Sequence, residues 1–328
     1  MKLSIFLRGF LMGCADIVPG VSGGTVALVT GIYERLIDSI RKVTQAFVLC
    51  LGGQFKKGFS YIDFSFLIPL ICGVGLAIVL MAKLITQAME DIPELTLALF
   101  FGLMMGSITI VGKMIHEKSF LRFTLLFVSA MFALILTSST PLETEASPLY
   151  FFFSGMVAIV AMILPGVSGS FLLLIMGKYM QVMTAIKSMI SLCKDAIQAL
   201  LNKGPVLSEV WLQMQEVLLG TIVPFGLGCV LGLASFSWVL TYFLKHHKSL
   251  TLTVLLGLML GSMHKLWPFR ITDMYLHREG KADKVLSDTT IAPYLDEPMH
   301  LGALALIVAG FFFVLWIDKK AGVSKLES

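Results

Sequence analysis

The sequence predicts an all-α polytopic membrane protein made of two inverted-topology repeats. Three observations predict it. First, the 328 residues are 57% hydrophobic and 14% charged, with mean hydropathy +0.88, which excludes a water-soluble domain. Second, Pro19-Gly20-Val21-Ser22-Gly23-Gly24 returns as Pro165-Gly166-Val167-Ser168-Gly169-Ser170, 146 residues on, each time inside apolar sequence. Third, each half carries three long apolar segments after its motif, and an odd number of spans turns the second half upside down relative to the first.

The repeat extends beyond the motif. Gly9 matches Gly155, Gly31 matches Gly177 and Tyr33 matches Tyr179 at the same offset. Further on, Gly102-Leu103-Met104-Met105-Gly106-Ser107 returns as Gly257-Leu258-Met259-Leu260-Gly261-Ser262, and Pro69 returns as Pro224. There the offset is 155, so one nine-residue insertion reconciles the two.

The elements follow in order. Residues 1–148 form the first repeat: a broken, re-entrant segment at 5–31, an amphipathic interfacial stretch at 34–60, and spans near 64–89, 95–112 and 120–140. The interfacial stretch is assigned because Glu34, Arg35, Asp38, Arg41 and Lys42 alternate with apolar positions. The spans each approach the roughly 20 residues that a crossing helix needs. Residues 149–328 repeat the order: a re-entrant segment at 150–177, an interfacial stretch at 178–210, and spans near 212–244, 250–267 and 299–317. The polar loop 268–298 has no counterpart in the first half.

Loop charge sets the orientation. The turns holding Glu90, Asp91 and Glu94, and Glu143 and Glu145, are acidic; those holding Lys113, Lys118 and Arg122, and Lys245, His246, His247 and Lys248, are basic. The tail adds Lys319, Lys320 and Lys325. If both broken segments return to the side they entered from, basic turns and both termini fall in the cytoplasm. The net-positive stretch 178–210 runs against this rule. Lys2, a short apolar run and Leu11-Met12-Gly13-Cys14 imitate a lipoprotein leader, but Arg8 interrupts the run and the repeat register reaches back to Gly9. The segment is therefore expected to stay in the mature fold. The five cysteines have no paired spacing and read as free packing thiols, with neither a disulfide framework nor a metal site. Nothing indicates nucleic-acid binding.

The breaks carry the chemistry. Proline removes a backbone donor and glycine admits unusual backbone angles. Non-helical backbone at membrane depth is tolerated only where protein buries it or a wet cavity receives it. A lone Pro-Gly in a span is usually a structural kink, but a six-position motif repeated in matched context points to a binding site. Pro19, Gly20, Ser22, Gly23, Gly24 and Thr25, with Pro165, Gly166, Ser168, Gly169 and Ser170, are the candidate substrate-binding residues. Inversion brings the two tips together near the bilayer centre. Their N–H groups and hydroxyls then suit an anion such as phosphate. Asp16 is the one acid beside the breaks and has Met162 as its counterpart. It can carry a coupling proton or position a cation such as sodium, or simply cap the break. Arg8 can reach a phosphate or snorkel to the interface. Glu34, Arg35 and Lys178 can guide a headgroup or serve as interfacial anchors. His116 and His264 lie near span ends, where solvation explains them. No cofactor is expected beyond a coupling ion.

These residues also carry a resemblance. Arg8-Gly9-Phe10-Leu11-Met12-Gly13, then Asp16-Ile17-Val18-Pro19-Gly20-Val21-Ser22-Gly23-Gly24-Thr25 and Gly31-Ile32-Tyr33-Glu34, resemble the signature of the PopT-type bacterial polyprenyl-phosphate transporters. The resemblance covers nearly the whole chain. It implies a flippase in the bacterial cytoplasmic membrane that recycles undecaprenyl phosphate for envelope synthesis, with Asp16, Ser22, Gly23, Gly24, Thr25, Ser168 and Gly169 at the headgroup site. The implied partners are the prenyl phosphate and the bilayer; homo-oligomerisation stays open. A carrier of a small soluble anion would use the same cradle. An intramembrane lipid phosphatase is the less favoured reading, since no Arg/His constellation or metal cluster accompanies the motif. The chain is therefore read as a transporter and not an enzyme.

Overall fold

The computed structural model describes residues 2–17, 22–115, 119–138, 147–200, 207–276, 284–294 and 297–321. Fourteen α-helices and one two-stranded hairpin are formed among them. Six helical segments are long and apolar enough to cross a membrane.

The first segment is two helices. α1 (Lys2–Ile17) and α2 (Gly23–Val29) flank the Pro19 motif, and α3 (Tyr33–Leu51) follows after Gly31, whose φ is 70°. The second segment repeats the pattern as α8 (Pro148–Ile163) and α9 (Gly169–Ile175), then α10 (Tyr179–Leu200) after Gly177, whose φ is 67°. Left-handed backbone of this kind favours glycine over residues with a Cβ, which accounts for the two glycines at the same place in each half. Pro19 and Gly20 lie outside the described residues.

α3 buries Tyr33 and Ile37 and turns Asp38, Arg41 and Lys42 into ion pairs on another face. Gly53 and the short α4 (Phe55–Tyr61) close that stretch. The long helices are α5 (Phe64–Asp91), α6 (Pro93–Lys113) and α7 (Phe120–Ser138), then α12 (Val223–His246), α13 (Lys248–Ser262) and α14 (Pro298–Ala321). α11 (Leu207–Val217) runs into α12 through a widened turn at Leu218–Ile222. Pro224 lies just beyond this turn; it lacks the N–H an α-helix would use there, and the wider turn re-registers the carbonyls.

Packing places α6 and α13 inside. Half of the α6 span (50%) and 56% of the α13 span are buried, against 11–22% for the other four. The outer helices expose Val79, Phe120, Phe123 and Ile135. Apolar surface on that scale requires lipid around it. α1 lies along α5 as α8 lies along α12, and α6 lies along α14 as α13 lies along α7. Small residues let the backbones meet. A side chain at Gly9 would collide with the Leu70 carbonyl, and one at Gly155 with the Phe225 carbonyl. Likewise Gly102 abuts the Ile307 carbonyl, and Gly257 abuts Leu126 and Ser129 of α7.

The excursion at 268–298 departs from the all-α expectation. β1 (Arg270–Leu276) pairs antiparallel with β2 (Lys284–Thr290), from Arg270 opposite Thr290 to Leu276 opposite Lys284. Ile271, Thr272, Tyr275, Val285, Thr289 and Thr290 supply the β-branched and aromatic content that favours strands, without the apolar alternation that would have announced them. The Ile291 N–H donates to the Phe269 carbonyl at 3.0 Å and prolongs the pairing. Buried Phe269 then anchors the hairpin to α6 and α14.

Candidate functional site: the junction of the two breaks

The structure brings the two motifs into contact. Ser22 adopts extended backbone (φ −124°, ψ 135°) and caps α2, accepting from the Gly24 N–H at 3.1 Å. Its own hydroxyl donates to the Leu164 carbonyl at 3.4 Å. One turn on, Thr25 Oγ1 accepts from the Gly166 N–H at 3.0 Å. Ser22 and Thr25 are 2% and 3% exposed, so these bonds satisfy polar groups that water does not reach. The backbones are close as well: a Cβ at Gly24 would lie 2.8 Å from the Ile163 carbonyl oxygen.

Tyr33 completes the junction from α3. Its hydroxyl donates to the Ile163 carbonyl at 3.0 Å, and the ring is buried at 2% exposure. Leu164 has left the helix (φ −72°, ψ 126°), so the last carbonyls of α8 lack their usual helical partners, and from the backbone the Leu164 carbonyl receives a long 3.4 Å bond, donated by the Val167 N–H. Tyr33 and Ser22 take two of them. Sequence reasoning matched Tyr33 with Tyr179 but gave it no role; only its distance across the fold from Ile163 reveals one.

The second break stands differently. Gly166 has φ 81° and rests on α13, where a Cβ would come within 2.8 Å of the Met259 Cα. Pro165, Gly166 and Gly169 are buried, but Ser168 is half-buried and Ser170 exposed. Their hydroxyls share one hydrogen bond of 2.9 Å, and neither caps α9. Thus the motif that repeats in sequence is used in two ways: the first break faces inward onto the second, while the serines of the second face outward.

Asp16 stays beside the first break. Its Oδ1 accepts from the Gly23 N–H at 2.6 Å and the residue remains exposed. A Cβ at Gly23 would meet Asp16 Oδ2 at 2.6 Å, so the carboxylate needs that glycine. A carboxyl oxygen thus already occupies the opening N–H of α2. Arg8 is half-buried on α1, two turns away, roughly 12 Å along the axis. Next to the junction, α1, α2, α6 and α14 enclose a cavity of about 130 Å3. Its three hydroxyls are engaged by the protein: Thr25 accepts from the Gly166 N–H, Thr30 donates to the Val26 carbonyl and Ser107 to the Leu103 carbonyl.

The three expected guide residues lie in protein contacts. Glu34 meets Lys248 at 3.1 Å, which ties the start of α3 to the start of α13. Arg35 donates to Asp63 Oδ2 from Nη2 at 2.7 Å and Nε at 3.2 Å, and lies over the Phe66 ring. Lys178 is 1% exposed, donates to Gln181 Oε1 at 3.1 Å and lies over the Phe151 and Tyr150 rings.

Comparison with known proteins gives this geometry its family. Residues 12–283 match the undecaprenyl phosphate translocase-like (VCA0040-like) family. The chain belongs to this family. A polyprenyl-phosphate transporter of Vibrio cholerae serotype O1 is 35% identical over 326 residues, 97% of each chain. A polyprenyl-phosphate transporter of Staphylococcus aureus is 32% identical over 279 residues, 80% of this chain and 85% of that protein. No solved structure matches the chain. The family description is that of a translocase and not of an enzyme, as the sequence reading has it. The match begins at Met12, so it takes in Asp16 and both breaks of this translocase-like chain and leaves Arg8 outside.

Proposed function

We propose that this translocase-like protein carries a polyprenyl phosphate, undecaprenyl phosphate in the bacterial cytoplasmic membrane, between leaflets by alternating access. The observation that carries the reading is the hydrogen-bonded junction of the two breaks, Thr25 to Gly166 and Ser22 to Leu164, inside a bundle of membrane-length helices. The names of the two relatives supply the substrate class.

The physics fits a lipid of this kind. The prenyl chain never has to leave hydrocarbon, so only the phosphate needs a polar route. An uncompensated charge at the bilayer centre costs at least about 2.5–3.5 kcal/mol. Hydroxyls and backbone N–H groups at the breaks lower that cost. The recurring pairings, α1 with α5 and α8 with α12, α6 with α14 and α13 with α7, support two repeats of one design. With three spans in each, the repeats are inverted, and exchange of their conformations opens the junction to the other side. The present unequal use of the two breaks is what one end state of such an exchange would look like.

Asp16 is the coupling group in this scheme. Its carboxylate holds the Gly23 N–H that an incoming phosphate would otherwise take. Protonation of Asp16, or its engagement by sodium, weakens that hold and lets the phosphate compete. Basic turns and both termini lie in the cytoplasm.

Leaflet transfer of undecaprenyl phosphate in proteoliposomes, with and without a proton or sodium gradient, tests the reading. Transfer by the wild type and its loss in Ser22→Ala at unchanged folding is the expected result. Competition by inorganic anions with no transfer of prenyl phosphate would instead make the protein a soluble-anion carrier.

A further inference from the structure

The geometry points to a dedicated binding groove for the polyisoprenoid chain between α7, α12 and α13; this rests on the proposed transport of a prenyl phosphate. The groove encloses about 750 Å3, within the roughly 300–1,000 Å3 of small-molecule sites. Its floor is Leu240, Leu255 and Leu258, all buried, and its rims are Phe132 of α7 and Val239 of α12. It forms because the small residues Gly257 and Gly261 draw α13 tightly onto α7, while α12 is drawn instead onto α8 through Gly228 and Gly232. The divergence leaves a slot between α12 and α13.

Apart from His247 at one end, the polar side chains of the walls are already hydrogen-bonded. The Ser129 hydroxyl donates to the Leu125 carbonyl at 2.7 Å and that of Thr251 to the His247 carbonyl at 3.0 Å, so both are spent on their own helices. Lengthwise the slot runs from His247, at the start of α13, to Leu258, roughly 16 Å at the helical rise. That is about one leaflet of a hydrocarbon core roughly 30 Å thick.

The two ends identify the occupant. One end opens at the turn Lys245-His246-His247-Lys248, where Lys248 is paired with Glu34 and the exposed Lys245 brings the positive charge that suits a phosphate at the membrane face. The other end is closed by Leu164, the residue whose carbonyl accepts the Ser22 hydroxyl. A lipid with a single anionic phosphate and a branched hydrocarbon chain matches both ends, and its chain would press on the second break. The groove therefore holds the carrier lipid in a docked position, with the phosphate at the basic turn, before the headgroup enters the junction.

Photolabelling in proteoliposomes of phosphatidylethanolamine tests this, with a polyprenyl phosphate bearing a diazirine in its chain as probe. Label is expected on α7, α12 and α13 around Phe132, Val239 and Val254, suppressed by excess undecaprenyl phosphate and not by excess phosphatidylglycerol. Val254→Trp should reduce long-chain transfer about tenfold by overpacking the slot and leave geranyl phosphate transfer much less affected, while Val79→Trp, on the exposed face of α5 away from the slot, stays near wild type. Equal suppression by phosphatidylglycerol would reduce the groove to an ordinary lipid contact and overturn the inference. Label elsewhere with transfer intact would overturn the groove alone. Groove label without transfer in any gradient would overturn the transport reading and leave the groove standing.

Discussion

Thr25 and Gly166 join the two halves of the protein: across 141 residues of sequence, the Gly166 N–H donates to the Thr25 hydroxyl at 3.0 Å in a buried setting. Removing the acceptor strands a buried N–H, which costs about 1–3 kcal/mol. Thr25→Val, nearly isosteric, is expected to lower the melting temperature in detergent and to impair prenyl phosphate transfer. Thr25→Ser keeps the hydroxyl and should recover most of both. Equal behaviour of the two variants would show that the bond contributes nothing.

Gly166 has a second reason to be glycine. Its φ of 81° costs an L-residue about 1–2 kcal/mol, and its Cβ would lie 2.8 Å from Met259 Cα. Gly166→Ala is therefore expected to lose at least that much stability. Gly75→Ala, on an exposed face of α5 where a Cβ meets nothing within 4 Å, should be neutral or stabilising by up to about 1 kcal/mol. Chemical unfolding of both variants in the same detergent separates them.

At the start of α5 the Arg35–Asp63 pair predicts a pH dependence. The Ser65 hydroxyl first, and the Arg35 guanidinium next, hold the Asp63 carboxyl below the usual carboxylate range. Because the folded value is depressed, the contribution is complete above the unfolded value near ~3.9 and disappears as pH falls through the lower folded value. The pair is partly solvated, so the expected size is about 0.2–1 kcal/mol. Melting temperatures followed from pH 7 down to pH 3 should fall less steeply for Asp63→Asn than for the wild type. Parallel curves would remove the pair from the account.

Much of this architecture was legible because it is written in strong signals. Apolar length marked the spans, and Pro165-Gly166 marked a break that the structure places between α8 and α9. Gly31 and Gly177 were visible as a matched pair because one backbone conformation demands the same residue twice. The hairpin at 270–290 was not legible, since seven-residue polar strands give little periodic signal in an apolar chain. Nor was the role of Tyr33, which depends on a carbonyl 130 residues away. Lys178 shows another limit: a lysine read as a headgroup guide or an interfacial anchor is buried over two aromatic rings, a placement that its sequence position does not reveal. The repeat in sequence likewise gave no hint that Ser22 would face the partner motif while Ser170 faces out.

Asp16 offers the sharpest test of mechanism, because its charge and its hydrogen bond can be separated. Asn in its place keeps an oxygen for the Gly23 N–H, held at 2.6 Å in the wild type, but cannot exchange a proton or attract a cation. If Asp16 couples transport, Asp16→Asn should fold and bind lipid normally yet lose the acceleration of transfer by an ion gradient. Asp16→Ala also removes the acceptor, so it should lose stability as well, by about 0.5–2 kcal/mol as for other lost caps. Transfer would be followed under an imposed proton gradient, then under a sodium gradient, with melting temperature measured alongside. Gradient-dependent transfer that persists in Asp16→Asn would confine the residue to capping α2 and move the coupling elsewhere.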